Sequence, residues 1–187
     1  MFPAKIFLLL SLALLGCSAR EPLPPLPLAE NVDLQRFMGP WYVIGFIPLF
    51  PERHANNGIE RYKLMDDGRI AVAYRFREGS AEGELKSYFP SAEVVPGTGN
   101  AVWRMQFLWP FTADFRIAYL ADDYQEVIIG REARDYVWLM ARSPDMSAER
   151  FEALRRRIGQ MGYDVESLRR QPQVWPEKSQ RPPLEGW

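Results

Sequence analysis

Gly39-Pro40-Trp41-Tyr42 opens the first strand-like run of the chain, directly after a short helical pattern, and its reading decides the fold. A small β-barrel needs a large side chain to plug its narrow end, and a Trp on the inner face of the first strand can do this. A Gly two residues earlier lets the chain turn tightly beneath it. From Trp41 onward the pattern becomes a series of short β-rich segments. Turn signals divide them at Asn56-Asn57-Gly58, Asp66-Asp67-Gly68 and Pro96-Gly97-Thr98-Gly99-Asn100. Strands are expected at Trp41–Ile47, Ile59–Leu64, Arg69–Phe76, Glu82–Phe89, Val102–Leu108, Phe115–Leu120, Glu126–Arg131 and Tyr136–Arg142. Successive short strands without intervening helices indicate an all-β sandwich or barrel. Closure is the more economical answer to exposed edges, so an eight-stranded up-and-down antiparallel β-barrel is expected.

Outward from this core, Asn31 to Met38 reads as a short helical turn, capped by Asn31 or Asp33 and ended by Gly39. After the last strand, Ser147 to Met161 reads as a C-terminal α-helix packed outside the barrel. Asp145 or Ser147 can cap it, Phe151, Leu154 and Ile158 form its apolar stripe, and Gly162 stops it. Tyr163 to Leu168 adds a further strand or turn, and the proline-rich remainder, 171–187, reads as an irregular tail.

The N-terminus reads as a targeting segment. Lys5 precedes the apolar run Ile6 to Leu15, which is too short to span a bilayer. Leu14-Leu15-Gly16-Cys17 follows, similar to the lipobox of bacterial lipoproteins, with Leu15 where a small residue is preferred. Cys17 is the single cysteine of the chain, so an internal disulfide is impossible and a thioether-linked lipid explains its place. The expected division is a signal peptide over 1–16, a lipidated proline-rich tether over 17–30, a barrel domain over 31–170, and the tail. Acyl chains at about 0.8 kcal/mol per buried methylene would hold Cys17 on a membrane. Ser18 after the cysteine favours the outer membrane of a Gram-negative cell, by resemblance to such lipoproteins.

Of the 187 residues 47% are hydrophobic and 13% aromatic, enough for one domain with a sizeable core. A net charge of -1 argues against nucleic acid as a partner. No metal-ligand spacing, phosphate loop or nucleophile elbow is present, and no cofactor is expected. Alternation proposes which side chains face inward. With Trp41 these are Val43 and Gly45; in the third strand Ile70, Val72, Tyr74 and Phe76; in the fifth Trp103, Met105 and Phe107. Phe115, Ile117 and Tyr119 follow in the sixth, and Tyr136, Trp138 and Met140 in the eighth. A barrel of this size is either filled by such side chains or holds one small ligand, and alternation does not choose.

Three elements in order resemble the lipocalin family, in particular its bacterial outer-membrane lipoprotein branch. Gly39 and Trp41 match the first motif. Asp123-Tyr124 matches the second, with Asp122 where Thr is frequent. Arg142, within Ala141-Arg142-Ser143-Pro144, matches the third. The resemblance covers about Asn31 to Arg170. It implies a barrel whose closed end is sealed by Arg142 lying across Trp41, so that Gly39, Trp41, Asp123, Tyr124 and Arg142 are structural. It also implies a hydrophobic ligand such as a fatty acid or lysophospholipid, stored or transported in the cell envelope. Val43, Tyr74, Phe76, Trp103, Met105 and Phe107 then form one side of the lipid-binding wall. Ile117, Tyr119, Tyr136, Trp138 and Met140 form the other. Burying about fourteen methylenes at about 0.8 kcal/mol each gives about 11 kcal/mol before ordering costs.

Three other readings compete. An enzyme would need a nucleophile; Cys17 lies upstream of the barrel, and His54 has no evident partner, so catalysis is not expected. Haem or another tetrapyrrole would use His54 as ligand. A mainly structural envelope protein would fill the cup with its own aromatics. The apolar rim stretches Phe46 to Pro51 and Leu108 to Phe111 fit either a loop folded over the mouth or contact with a membrane surface or a second protomer in a homodimer.

Overall fold

The computed structural model describes residues 23–48, 52–108 and 110–175. The expected signal peptide, Cys17, Phe50, Trp109 and the tail beyond Trp175 lie outside the described residues.

The short helix α1 (Leu34–Phe37) is capped by Asp33, whose carboxylate accepts from the Arg36 amide at 3.2 Å. Its end runs into β1 (Gly39–Ile47) through Gly39, at φ +94, a conformation open to glycine and strained for other residues. The strands that follow are β2 (Ala55–Leu64), β3 (Ile70–Glu78), β4 (Leu85–Tyr88), β5 (Ser91–Val94), β6 (Val102–Leu108), β7 (Phe111–Leu120), β8 (Glu126–Gly130) and β9 (Val137–Ala141). Each pairs antiparallel with its neighbour, and β9 returns to β1 from Tyr42↔Ala141 to Ile47↔Val137, closing the barrel. Counted around the wall, β4 and β5 form one broken strand, so the closed barrel is eight-stranded as expected. The break falls at Phe89-Pro90, where proline has no N–H to give the ladder. The strand expected over Glu82–Phe89 is therefore shorter, Leu85–Tyr88, and β5 is an unexpected continuation of it.

Helix α2 (Ala148–Gln160) starts at Ser147, whose hydroxyl accepts from the Arg150 amide at 3.1 Å. Phe151, Leu154 and Ile158 bury its apolar stripe against Ile44, Ile128 and Leu139 on the outer face of the wall. The chain then adds β10 (Arg169–Arg170) to β1 where β1 and β2 diverge above Tyr42. Residues 171–175, expected as tail, are part of this seam. The Gln171 amide donates to Ile44 O at 2.8 Å and the Asn57 amide to Pro172 O at 2.8 Å. The Gln173 side chain bridges Val43 O and Gly58 O, at 2.8 and 3.1 Å. No helix among the described residues is long and apolar enough to cross a membrane.

The proline-rich segment before residue 31 was expected to stand free as a tether. From residue 23 it lies along the barrel instead. Leu26 is buried with the helix-facing cluster, and its amide donates to the Glu132 carboxylate at 3.2 Å. The Ala29 amide donates to Ile117 O at 2.8 Å, and Arg134 holds Pro24 O at 2.7 Å. An extended proline-rich strand makes no internal hydrogen bonds, so the barrel wall supplies its partners. Leu26→Asp should release it, because a carboxylate cannot be buried unpaired at that site. Hydrogen exchange of the Ala29 amide is expected to quicken at least about tenfold, with the barrel amides of β8 unchanged.

Candidate functional site

Two chemically different halves stack along the barrel axis. The lower half is solid. Trp41, Phe37, Tyr62, Trp103 and Phe115 interlock with ring centroids 4.8 to 5.6 Å apart, among them a Trp103–Phe115 stack at 4.8 Å. Arg142 seals this end from outside. Its guanidinium lies 3.8 Å from the Trp41 ring centroid and donates to Pro40 O, Arg36 O and Phe37 O at 2.8 to 2.9 Å, with Nε reaching Tyr124 O at 3.4 Å. Burial lowers its pKa to about 10, so it stays charged at neutral pH. Trp41 Nε1 donates to the same Phe37 carbonyl at 2.9 Å.

The turn carrying Asp123 and Tyr124 joins this latch. The Tyr124 hydroxyl accepts from the Asp33 amide at 2.9 Å, Arg36 stacks over its ring at 4.0 Å, and Asp123 fixes the turn through the Gln125 amide at 3.0 Å. All three motifs therefore meet at one place, far from the open end.

The upper half holds a cavity of about 370 Å³ that opens at the rim between β4, β6, β7 and the β8–β9 connection. That volume falls within the range of small-molecule pockets. Of the expected lipid-binding wall, Tyr74, Met105, Phe107, Tyr136 and Trp138 line it. Phe107 is not buried but half-exposed, at the mouth. Val43, Phe76, Trp103, Ile117 and Met140 do face the interior, but as packed core beneath or behind the cavity. Tyr119 is misplaced in the expectation. A bulge between Ile117 and Tyr119 sets both Ala118 and Tyr119 on the outer face, where Arg157 of α2 stacks on Tyr119 at 4.3 Å. A second bulge between Val43 and Gly45 turns Gly45 outward, towards Phe151, and brings Phe46 inside.

Five lining residues were not among the expected binding set: Glu52, Tyr88, Ala113, Phe115 and Arg131. Glu52 is 7% exposed and accepts from Trp138 Nε1 at 3.3 Å; burial pushes its carboxyl up to about 7. Glu60 lies fully inside the barrel, opposite Trp41 in β1 and Tyr74 in β3. One of its oxygens accepts from the Tyr62 hydroxyl, the other has no partner, and burial lifts its carboxyl to about 8. The Tyr74 hydroxyl is also buried, with the Gln171 side-chain nitrogen facing it but no well-formed hydrogen bond between them. Glu60 and Tyr62 stand two apart in β2, a signal for a shared face. The acidic residue would ordinarily have been read as solvent-facing.

His54 lies exposed on the turn before β2 and does not line the cavity. Among the described residues no cluster of His, Cys, Asp and Glu could hold a metal. A second concavity of about 590 Å³, beside Met146 and Gln173, is a shallow groove outside the wall.

A sequence profile described as the lipocalin-like domain matches residues 32–173. The chain is 28% identical to temperature-induced lipocalin-1 of Arabidopsis thaliana over 155 residues, covering 77% of this chain and 81% of that one. To the outer membrane lipoprotein Blc of Escherichia coli it is 27% identical over 154 residues, covering 80% and 84%. Among solved structures, insecticyanin from the tobacco hornworm Manduca sexta superposes with a TM-score of 0.62 at 17% identity, covering 80% of this chain and 85% of that one. That last likeness speaks to the fold alone.

Proposed function

The chain belongs to the lipocalin family, and from that premise we propose that it is an envelope lipoprotein that holds one single-chain amphiphile, a fatty acid or lysophospholipid, for storage or transport. The observation that carries this reading is the cavity itself, about 370 Å³ at the open end and walled chiefly by Tyr74, Tyr88, Met105, Phe107, Phe115 and Trp138. Aromatic and thioether side chains give an acyl chain a dry, adaptable wall and no directional demand. We assign no catalytic role to the cavity; family membership points to binding or transport.

Cleavage before Cys17 and lipidation there would moor the barrel, and likeness to Blc, an outer membrane lipoprotein in Escherichia coli, supports the outer membrane as its location. Phe107 and Phe111 are 52% and 72% exposed near the mouth, and Phe89, 66% exposed, stands on the outer wall beside Arg75. Such apolar exposure supports contact of the rim with lipid during loading, with a homodimer through the same face as the competing partner.

Ala113 offers a direct test. Ala113→Trp places an indole in the cavity from a partly exposed wall position, so the closed-end core is untouched. Displacement of a neutral fluorescent probe by palmitate or palmitoyl-lysolipid is expected to weaken at least about tenfold, with thermal stability held within about 1 kcal/mol. Equal displacement in both proteins would refute binding at this cavity.

A further inference from the structure

Inside an otherwise apolar cup, unmet hydrogen-bonding capacity is concentrated on one side. Tyr74 lines the cavity and is 2% exposed; its hydroxyl and the Gln171 side-chain nitrogen that faces it both lack a well-formed hydrogen bond. Its cross-strand neighbour Glu60 is 0% exposed and keeps one carboxylate oxygen unpartnered. Glu52, on the same cavity, has its Oε2 held by the Trp138 indole. Groups buried to this degree are nearly always paired in protein cores, and leaving them unpaired lowers stability. The cationic member of the lining, Arg131, is shared with Asp135 at 3.1 Å and lies 5.5 Å from the Tyr136 ring, and no hydrogen bond joins it to Glu52, Glu60 or Tyr74.

We propose that this cavity selects single-chain amphiphiles carrying an ammonium group, whose N–H donors are received at Glu52 with Tyr74 and Glu60 beneath it. The inference rests on the reading of the cavity as an amphiphile site and names the head-group chemistry that site takes. An ammonium brings positive charge and several donors to two carboxyls and a hydroxyl, which a low-dielectric wall makes strong. A free carboxylate of equal chain length brings a like charge to the same place, and the lining cation, Arg131, is already shared with Asp135.

Ammonium can come from a free alkylamine or from an ethanolamine head group, and the two differ in carrying a phosphate. Binding of a cation favours ionised Glu52 and Glu60, so protons leave these carboxyls for solvent as the ligand enters. The groups that face them are Tyr62 on β2, Tyr74 on β3, Tyr88 on β4, Trp138 on β9, and Tyr136 and Arg131 on the β8–β9 connection. Burial holds both carboxyls above the ordinary range, and the Glu52 charge adds to the rise at Glu60. Ammonium ligands should therefore bind better as pH rises, and carboxylates better as it falls.

The test uses the chain from Ser18 onward, which contains every described element. Hexadecylamine, palmitoyl-lysophosphatidylethanolamine, palmitoyl-lysophosphatidylglycerol and palmitate compete for a neutral fluorescent probe at about pH 6 and about pH 8.5. The two ammonium ligands are expected to bind at least about tenfold more tightly than palmitate at the higher pH. Glu52→Gln should shrink that preference to within about threefold. Lysophosphatidylethanolamine beating lysophosphatidylglycerol would place the ammonium of a lipid head group at Glu52. Hexadecylamine alone showing the preference would restrict the class to free amines. Palmitate binding as tightly as the amines, with Glu52→Gln and Glu60→Gln both silent, would overturn the inference and leave amphiphile binding standing. Failure of all four ligands would overturn both.

Discussion

Arg142→Ala is expected to cost about 3–5 kcal/mol of folding stability, because it strips a stacked cation and several charged hydrogen bonds at once. The guanidinium serves carbonyls from three places, Arg36 and Phe37 in α1, Pro40 in β1 and Tyr124 in the β7–β8 turn. Without it those carbonyls each lose a donor at the barrel's closed end, and Phe37 O keeps only the Trp41 indole. Arg142→Lys should recover little, since an ammonium cannot span the same fork or lie flat on an indole. Trp41→Ala alone should cost a similar amount by opening a void under Phe37 and Tyr62. The double variant is expected to lose about 1–2 kcal/mol less than the sum, the coupling being the stack at 3.8 Å. Urea midpoints of the four proteins measure all three numbers; strict additivity would mean the stack contributes nothing.

Glu60→Gln is expected to change the pH dependence of stability more than any other single substitution. The folded pKa of about 8 stands above the unfolded value of 4.5, so the folded chain holds a proton that the unfolded chain releases. Its contribution is complete below about pH 4.5 and is lost as pH rises through about 8, at about 1.4 kcal/mol per pH unit. Across that window Glu60 alone accounts for about 5 kcal/mol, and Glu52 acts in the same direction up to about pH 7. Wild type should therefore weaken steadily from about pH 5 to about pH 8.5. The Gln variant keeps an acceptor for the Tyr62 hydroxyl and carries no charge, so its curve should flatten and cross above wild type at alkaline pH. Parallel urea-midpoint curves for the two proteins would show that Glu60 is not held protonated.

The closed end was legible because its parts are sequence motifs with geometric roles: a Gly at positive φ, a Trp to plug the floor, an Arg to lie across it. Strand number was legible from turn signals. Strand continuity was not, since a proline at position 90 divides one wall strand into β4 and β5. Facing failed where period two fails. At Ile44 and at Ala118 a bulge places two successive residues on one face, and neither site carries a composition that announces it. Tyr119 was lost to the outer face for this reason.

The polar side of the cavity was unreadable for a different reason. Both faces of β2 carry buried residues, Tyr62 in the barrel interior and Ile59 in the packing outside, so the two gave opposite cues for Glu60. Only the register with Trp41 and Tyr74 places that carboxyl inside. Half of the expected wall proved to be packing because Phe37, from the helix before β1, reaches into the barrel and fills its lower half.

Native mass spectrometry of the chain from Ser18 onward, after delipidation and incubation with palmitoyl-lysolipid, tests the central claim most directly. The account predicts a one-to-one adduct in wild type, and its loss in Ala113→Trp. A spectrum of bare protein at every lipid concentration, or an adduct that survives the tryptophan, would contradict a ligand held in the upper half of this barrel.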